Sequence, residues 1–145
     1  MAHPTPRWQP ITQLPMIAGA INGMAESAAT QIRNLQRAET RPHVLDDYTV
    51  NRVIAAYTQQ QGDLWLYAEQ LTRWEAQART PAQWAEVAEL TQRLATLRAD
   101  ITTILDLAAR LKPQTIDTIL ARSDAELGLD ALLGAVTPRG RRKQR

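Results

Sequence analysis

The sequence predicts an all-α fold: an antiparallel helical bundle built on a long central helical hairpin, with a first covering helix and short C-terminal helices. Three observations carry that expectation. Strand signals are scarce, because the 145 residues include no phenylalanine and six glycines, and no stretch shows clean alternation bounded by hairpin turns. Alanine, leucine, glutamine, glutamate and arginine fill most positions, and these small or straight-chain residues lose little entropy in a helix. Apolar residues also recur at steps of three and four over long runs, the spacing of one helix face.

Residues 1–14 read as an irregular arm. Met1 to Pro10 holds three prolines and no helical period, with Trp8 as an anchor for the segment. No basic start leads into a continuous apolar core, so the arm is unlike a signal peptide. Residues 15–134 form the predicted bundle domain. Its first helix starts near Pro15 and ends before Pro42, with Ile17, Ile21, Met24, Ala28, Ile32 and Leu35 as its inward stripe. Gly19 and Gly23 lie near its start, where fraying or a kink is a simpler reading than a close helix approach.

Asp46 or Asp47 opens the second helix, since a carboxylate there accepts from the unpaired amides of the first turn. Val50, Val53, Tyr57, Gln60, Leu64, Tyr67, Leu71 and Trp74 give a heptad run with one polar member. Ile54, Trp65 and Ala68 widen that stripe, so this helix must touch more than one neighbour. Thr80, Pro81 and Gln83 mark the next start: an N-cap, a proline whose missing amide costs nothing, and the third position of a capping box. From Pro81 the third helix presents Val87, Leu90, Leu94, Leu97, Ile101, Ile104, Ala108 and Leu111. The few residues between two such long helices force an antiparallel hairpin.

Beyond Lys112 and Pro113 two short helices are expected. One carries Ile116, Ile119 and Leu120; the second opens at Ser123 in a capping box with Glu126 and closes at Gly134. The predicted core includes Ile21, Ile32, Val53, Leu64, Leu71, Leu90, Leu94, Leu97, Ile101 and Ile104. Residues 135–145 read as a flexible basic tail. Arg139, Arg141, Arg142, Lys143 and Arg145 are five of the 17 basic residues, and without them the chain has 12 basic against 15 acidic residues, a balance of −3.

Composition excludes several chemistries. With no cysteine there is no disulfide, thiolate nucleophile, iron–sulfur cluster or cysteine-bound zinc, which suits a reducing compartment and a cytoplasmic location. The two histidines, His3 and His43, sit beside prolines and form no ligand cluster. Asp46, Asp47, Thr49 and Asn51 are rich in oxygen but lack the calcium-hand loop, so capping accounts for them. Gly19 with Gly23 and Gly134 with Gly140 match no phosphate-binding loop. The acids Glu69, Glu75, Glu86, Glu89, Asp100 and Asp106 lie mostly off the apolar stripes and near arginines, as a solvated helix face does. No catalytic, cofactor-binding or metal residue is assigned, and no cofactor is expected.

Two sets of residues remain as candidates. Leu64-Trp65-Leu66-Tyr67 places four large apolar side chains around more than half of the second helix, so other helices or another subunit must surround it. Trp65, Leu66, Tyr67, Trp74 and Trp84 are therefore candidate interface residues, of the types that anchor interfaces. The expected function is a non-catalytic protein–protein interaction module, a homo-oligomer or a small subunit or adaptor of a larger assembly. The alternative is a nucleic-acid accessory protein whose candidate phosphate contacts are Arg139, Arg141, Arg142, Lys143 and Arg145. The tail has no aromatic residue for base stacking and the body is acidic, which places that alternative second. No stretch is long enough for a membrane span.

Overall fold

Leu14 to Glu39 form the first helix, α1, entered through a 3₁₀ turn at Ile11–Gln13 and carrying Pro15 in its first turn. Leu14, Ile21, Ala28 and Leu35, seven residues apart, are its buried positions together with Ala38. Ile17, Met24 and Ile32 pack against them from the edges. A Cβ added at Gly19 or Gly23 would meet no atom within 4 Å. Neither glycine serves a close helix contact, and α1 runs through both as one helix.

The structure is a computed structural model that describes residues 5–136; the basic tail residues Arg139, Arg141, Arg142, Lys143 and Arg145 lie outside the described residues. After a 3₁₀ turn at Pro42–Val44, helix α2 spans Asp47–Gln77. Asp46 is its N-cap, and its carboxylate accepts from the Thr49 amide at 2.8 Å. These hydrogen bonds hold the Asp46 carboxyl below its ordinary pKa, the Thr49 interaction contributing most. Helix α3 spans Pro81–Leu111. The Gln83 amide donates to Thr80 Oγ1 at 3.1 Å, while Gln83 Oε1 accepts from the Arg79 amide rather than from Thr80, one residue before the usual capping-box partner.

Helix α3 is the spine of the fold. All eight positions of its predicted stripe are buried, and Leu107 joins them. Of the predicted core, Ile32 and Val53 are half-buried at the rim; the other eight are fully buried. Helices α1 and α2 both pack closely on α3, giving an up-down-up arrangement. Two polar contacts record the parallel register of α1 and α3: Arg93 donates to Asn22 Oδ1 at 2.6 Å and Arg110 to Glu39 Oε2 at 2.9 Å, both across a separation of 71 residues. They are exposed and stabilise little. The burial behind them supplies the energy, since a fully buried leucine or isoleucine contributes about 1.5–3 kcal/mol relative to an exposed one.

The C-terminal part differs from the two-helix expectation. A 3₁₀ turn at Lys112–Gln114 leads into a single helix, α4, over Ile116–Val136. Its first turn is set by Thr115, fully buried, whose Oγ1 accepts from the Thr118 amide at 3.2 Å. Ser123 therefore falls inside the helix and opens nothing, and Gly134 falls inside it too. The physical reason is local: no breaker separates Ile116 from Ser123, so continuing the helix keeps backbone hydrogen bonds that a new cap would interrupt.

The N-termini of α2 and α4 meet and cap one another. Thr115 Oγ1 donates to Asp47 Oδ1 at 2.5 Å, and the Asp47 amide donates to Asp117 Oδ2 at 2.8 Å. The Ile116 amide adds a bond to the Leu45 carbonyl at 2.8 Å. Two helix starts with like dipole ends would repel, and Asp46, Asp47 and Asp117 place negative charge between them. This joint fixes the direction in which α4 leaves. Past it Leu120 is 54% exposed and residues 121–125 are exposed as well.

Candidate docking surface

Helix α2 is apolar on two sectors, and the chain itself covers part of the second. Residues Pro6 to Pro10 of the N-terminal arm cross its outer face. Trp8 meets Trp65 edge to face, with ring centroids 6.4 Å apart and planes at 79°. The Arg73 guanidinium lies 4.4 Å from the centre of the Trp8 ring. Such an aromatic pair is worth about 0.5–1.5 kcal/mol beyond its area, and a cation over an exposed ring about 0.5–1 kcal/mol.

One side chain holds the arm by its backbone. Gln70 is 4% exposed; its Oε1 accepts from the Gln9 amide at 2.8 Å and its Nε2 donates to the Gln9 carbonyl at 3.2 Å. The same carbonyl accepts from Trp74 Nε1 at 2.9 Å. A buried primary amide needs both a donor and an acceptor, and an extended peptide offers that pair side by side. Gln70 thus mimics a neighbouring strand on the surface of a helix.

The predicted interface residues separate accordingly. Trp74 is fully buried and serves the core and the arm, with no surface to offer a partner; this corrects its assignment as an interface residue. Trp65 is half-buried against Trp8. Leu66 and Tyr67 are half-buried and line a hollow of about 400 Å³ beneath the arm, with Ile17 of α1 on its far side. Trp84 is 52% exposed on the first turn of α3. Gln60, the polar member of the stripe, has a buried Oε1 with no hydrogen-bond partner.

The sequence reading missed Gln70 and the continuous helix α4 with its exposed Leu120. Gln70 lies between stripe positions and its partner is 61 residues away in sequence, so no local pattern marks it. For α4 a signal did exist. Alanine, valine, isoleucine and leucine occupy 12 of its 21 positions, and by 3.6-residue spacing they fall on every side. Asp117, Arg122, Asp124, Glu126 and Asp130 interrupt them, so the helix has no single apolar face.

No family model, curated protein or solved structure matches this chain. The assignment therefore rests on the geometry alone. Among the described residues no group of three or more histidine, aspartate and glutamate side chains is placed to hold a metal ion. No helix among them is long and apolar enough to cross a membrane. Burial pushes the Tyr57 hydroxyl above its ordinary pKa. What the surface can do chemically is bury apolar area.

Proposed function

We propose that this chain is a non-catalytic helical interaction module of the cytoplasm, a self-associating protein or a subunit of a larger assembly. The observation that carries the reading is the early part of α4, where Leu120 is 54% exposed and residues 121–125 are exposed too, in a helix with alanine, valine, isoleucine or leucine at 12 of its 21 positions. Exposed apolar surface such as that of Leu120 gains about 25 cal/mol for each Å² removed from water. The half-buried Leu66 and Tyr67 and the exposed Trp84 add aromatic and aliphatic surface of the type that anchors partners. The cysteine-free composition supports the cytoplasmic assignment.

The test is capture of the tagged full-length chain from a lysate of its source, with and without nuclease, beside a Leu120→Glu variant. Stoichiometric protein partners that survive nuclease and weaken with the variant are the expected result. Partners or nucleic acid lost entirely on nuclease treatment would overturn the reading in favour of phosphate binding by the basic tail, which would also weaken steeply with salt.

A further inference from the structure

Backbone amides and carbonyls must be paired wherever water is excluded, and Pro6 to Pro10 meet that demand at one residue. Among the described residues, Gln9 carries every hydrogen bond between this stretch and α2: its amide donates to Gln70 Oε1, and its carbonyl accepts from Gln70 Nε2 and Trp74 Nε1. Thr5, Arg7 and Pro10 are exposed. The Gln9 side chain donates to the Arg7 carbonyl at 3.1 Å, within the arm itself. The grip is on the main chain, so it does not read the side chain at this position. It does require an N–H there, which a proline lacks.

The face of α2 therefore offers one acceptor, Gln70 Oε1, beside two donors, Gln70 Nε2 and Trp74 Nε1. That set selects the chemistry of its occupant. A phosphate or carboxylate brings acceptors only and leaves Oε1 unpaired. A helix has spent its amides and carbonyls on itself. An extended peptide presents both groups of one residue together, as it does when it joins the edge of a sheet. The position before is read by its ring: Trp65 meets Trp8 edge-on at 6.4 Å, and Arg73 lies 4.4 Å from the ring centre. Arg73 also pairs with Glu69 at 3.3 Å, so its guanidinium is held from both sides.

We infer that this face of α2 is a recognition site for an extended segment of a partner protein, an aromatic residue followed by any residue but proline, and that the arm is a tethered occupant which the segment displaces. The inference rests on the interaction-module reading above and names the class of partner. One residue's backbone and one ring seat the arm, and segments held by so few contacts open first. While seated, the arm competes with the partner. Apparent affinity in trans is reduced to the fraction of molecules whose arm is lifted, so loosening the arm with the site intact strengthens binding.

Fluorescence anisotropy of a labelled, end-capped peptide with the sequence of residues 5–11, Thr-Pro-Arg-Trp-Gln-Pro-Ile, tests it on the full chain and on its Trp8→Ala variant. Circular dichroism establishes that both proteins are folded. The variant keeps Gln70, Trp74, Trp65 and Arg73 and loses the ring that seats the arm, so it should bind the peptide roughly tenfold tighter than the wild type does. A peptide carrying Gln9→Pro, with no N–H for Gln70, should bind roughly tenfold or more weakly to the same variant, and so should one with alanine in place of its tryptophan. Equal binding by wild type and variant, indifference to the proline, or no binding by the variant at about 1 mM peptide overturns the inference. The interaction-module reading is then still decided by the nuclease-resistant capture, which uses no arm peptide. A wild-type dimer that Gln70→Ala dissolves would seat a second copy's arm on this face and overturn the assignment to a different partner.

Discussion

Replacing Gln70 by alanine should release the N-terminal arm from α2. The substitution removes two hydrogen bonds to Gln9, at 2.8 and 3.2 Å, each worth about 1 kcal/mol net. The freed Gln9 amide is half-buried, and it escapes the larger penalty of an unpaired buried donor only if the arm lifts into water. The expected cost is therefore about 2 kcal/mol, which for a chain of this size lowers Tm by roughly 4–8 °C. Urea unfolding measures the first quantity and calorimetry the second, while acrylamide quenching of tryptophan should rise as Trp8 and Trp65 separate. A double-mutant cycle with Trp8→Ala sharpens the test. If the arm docks as a unit, the double variant costs less than the sum of the singles. A cost below about 0.5 kcal/mol, additive with Trp8→Ala, would refute the claim that Gln70 holds the arm.

Other expectations follow from single features. Gly62 sits exposed within α2 with nothing within 4 Å of an added Cβ, so Gly62→Ala should raise stability by about 0.5–1 kcal/mol in urea titrations. Thr115→Val keeps the shape of a fully buried side chain but deletes the bonds to Asp47 and Thr118. It should cost about 1–3 kcal/mol and loosen the exit of α4, seen as faster amide exchange over residues 116–120. The Asp46 carboxyl, held below its ordinary pKa by Thr49, contributes its full stability above the unfolded carboxylate value and loses it as pH falls through the lower folded value. The stability difference between wild type and Asp46→Asn should shrink in acid relative to neutral pH, and a difference independent of pH would contradict the assignment.

The bundle was legible wherever one short-range rule decided it. The α3 stripe from Val87 to Leu111 was readable because every inward position is aliphatic and no glycine or proline interrupts it. Thr80 and Asp46 announced helix starts because capping is settled within three residues. Ser123 failed for the converse reason: a serine three residues before a glutamate matches a cap, yet a helix already running from Ile116 loses little by continuing through it. Periodicity also gives a face without naming its neighbour. The stripes of α1 and α2 were found, but nothing in either says that both would lean on α3.

The candidate site was legible in outline only. Four large apolar residues in a row at Leu64 to Tyr67 require cover, and the sequence supports that much. What supplies the cover is a contact across the length of the chain, the backbone of Gln9 against Gln70, with Trp8 set on Trp65. Trp74 looked like an anchor for a partner because tryptophan serves both purposes. Its indole N–H, spent on the Gln9 carbonyl at 2.9 Å, shows which purpose it serves here.

The central claim is that the exposed early part of α4 is covered by a partner and not by its own chain. Amide hydrogen exchange across α4, followed from dilute to concentrated protein, tests it most directly. In dilute solution the amides beyond Leu120 should exchange far faster than those of α3, then slow by orders of magnitude as concentration rises, with α3 unchanged. Protection of α4 equal to that of α3 at every concentration, dilute included, would mean that the chain buries this helix by itself, and would contradict the account.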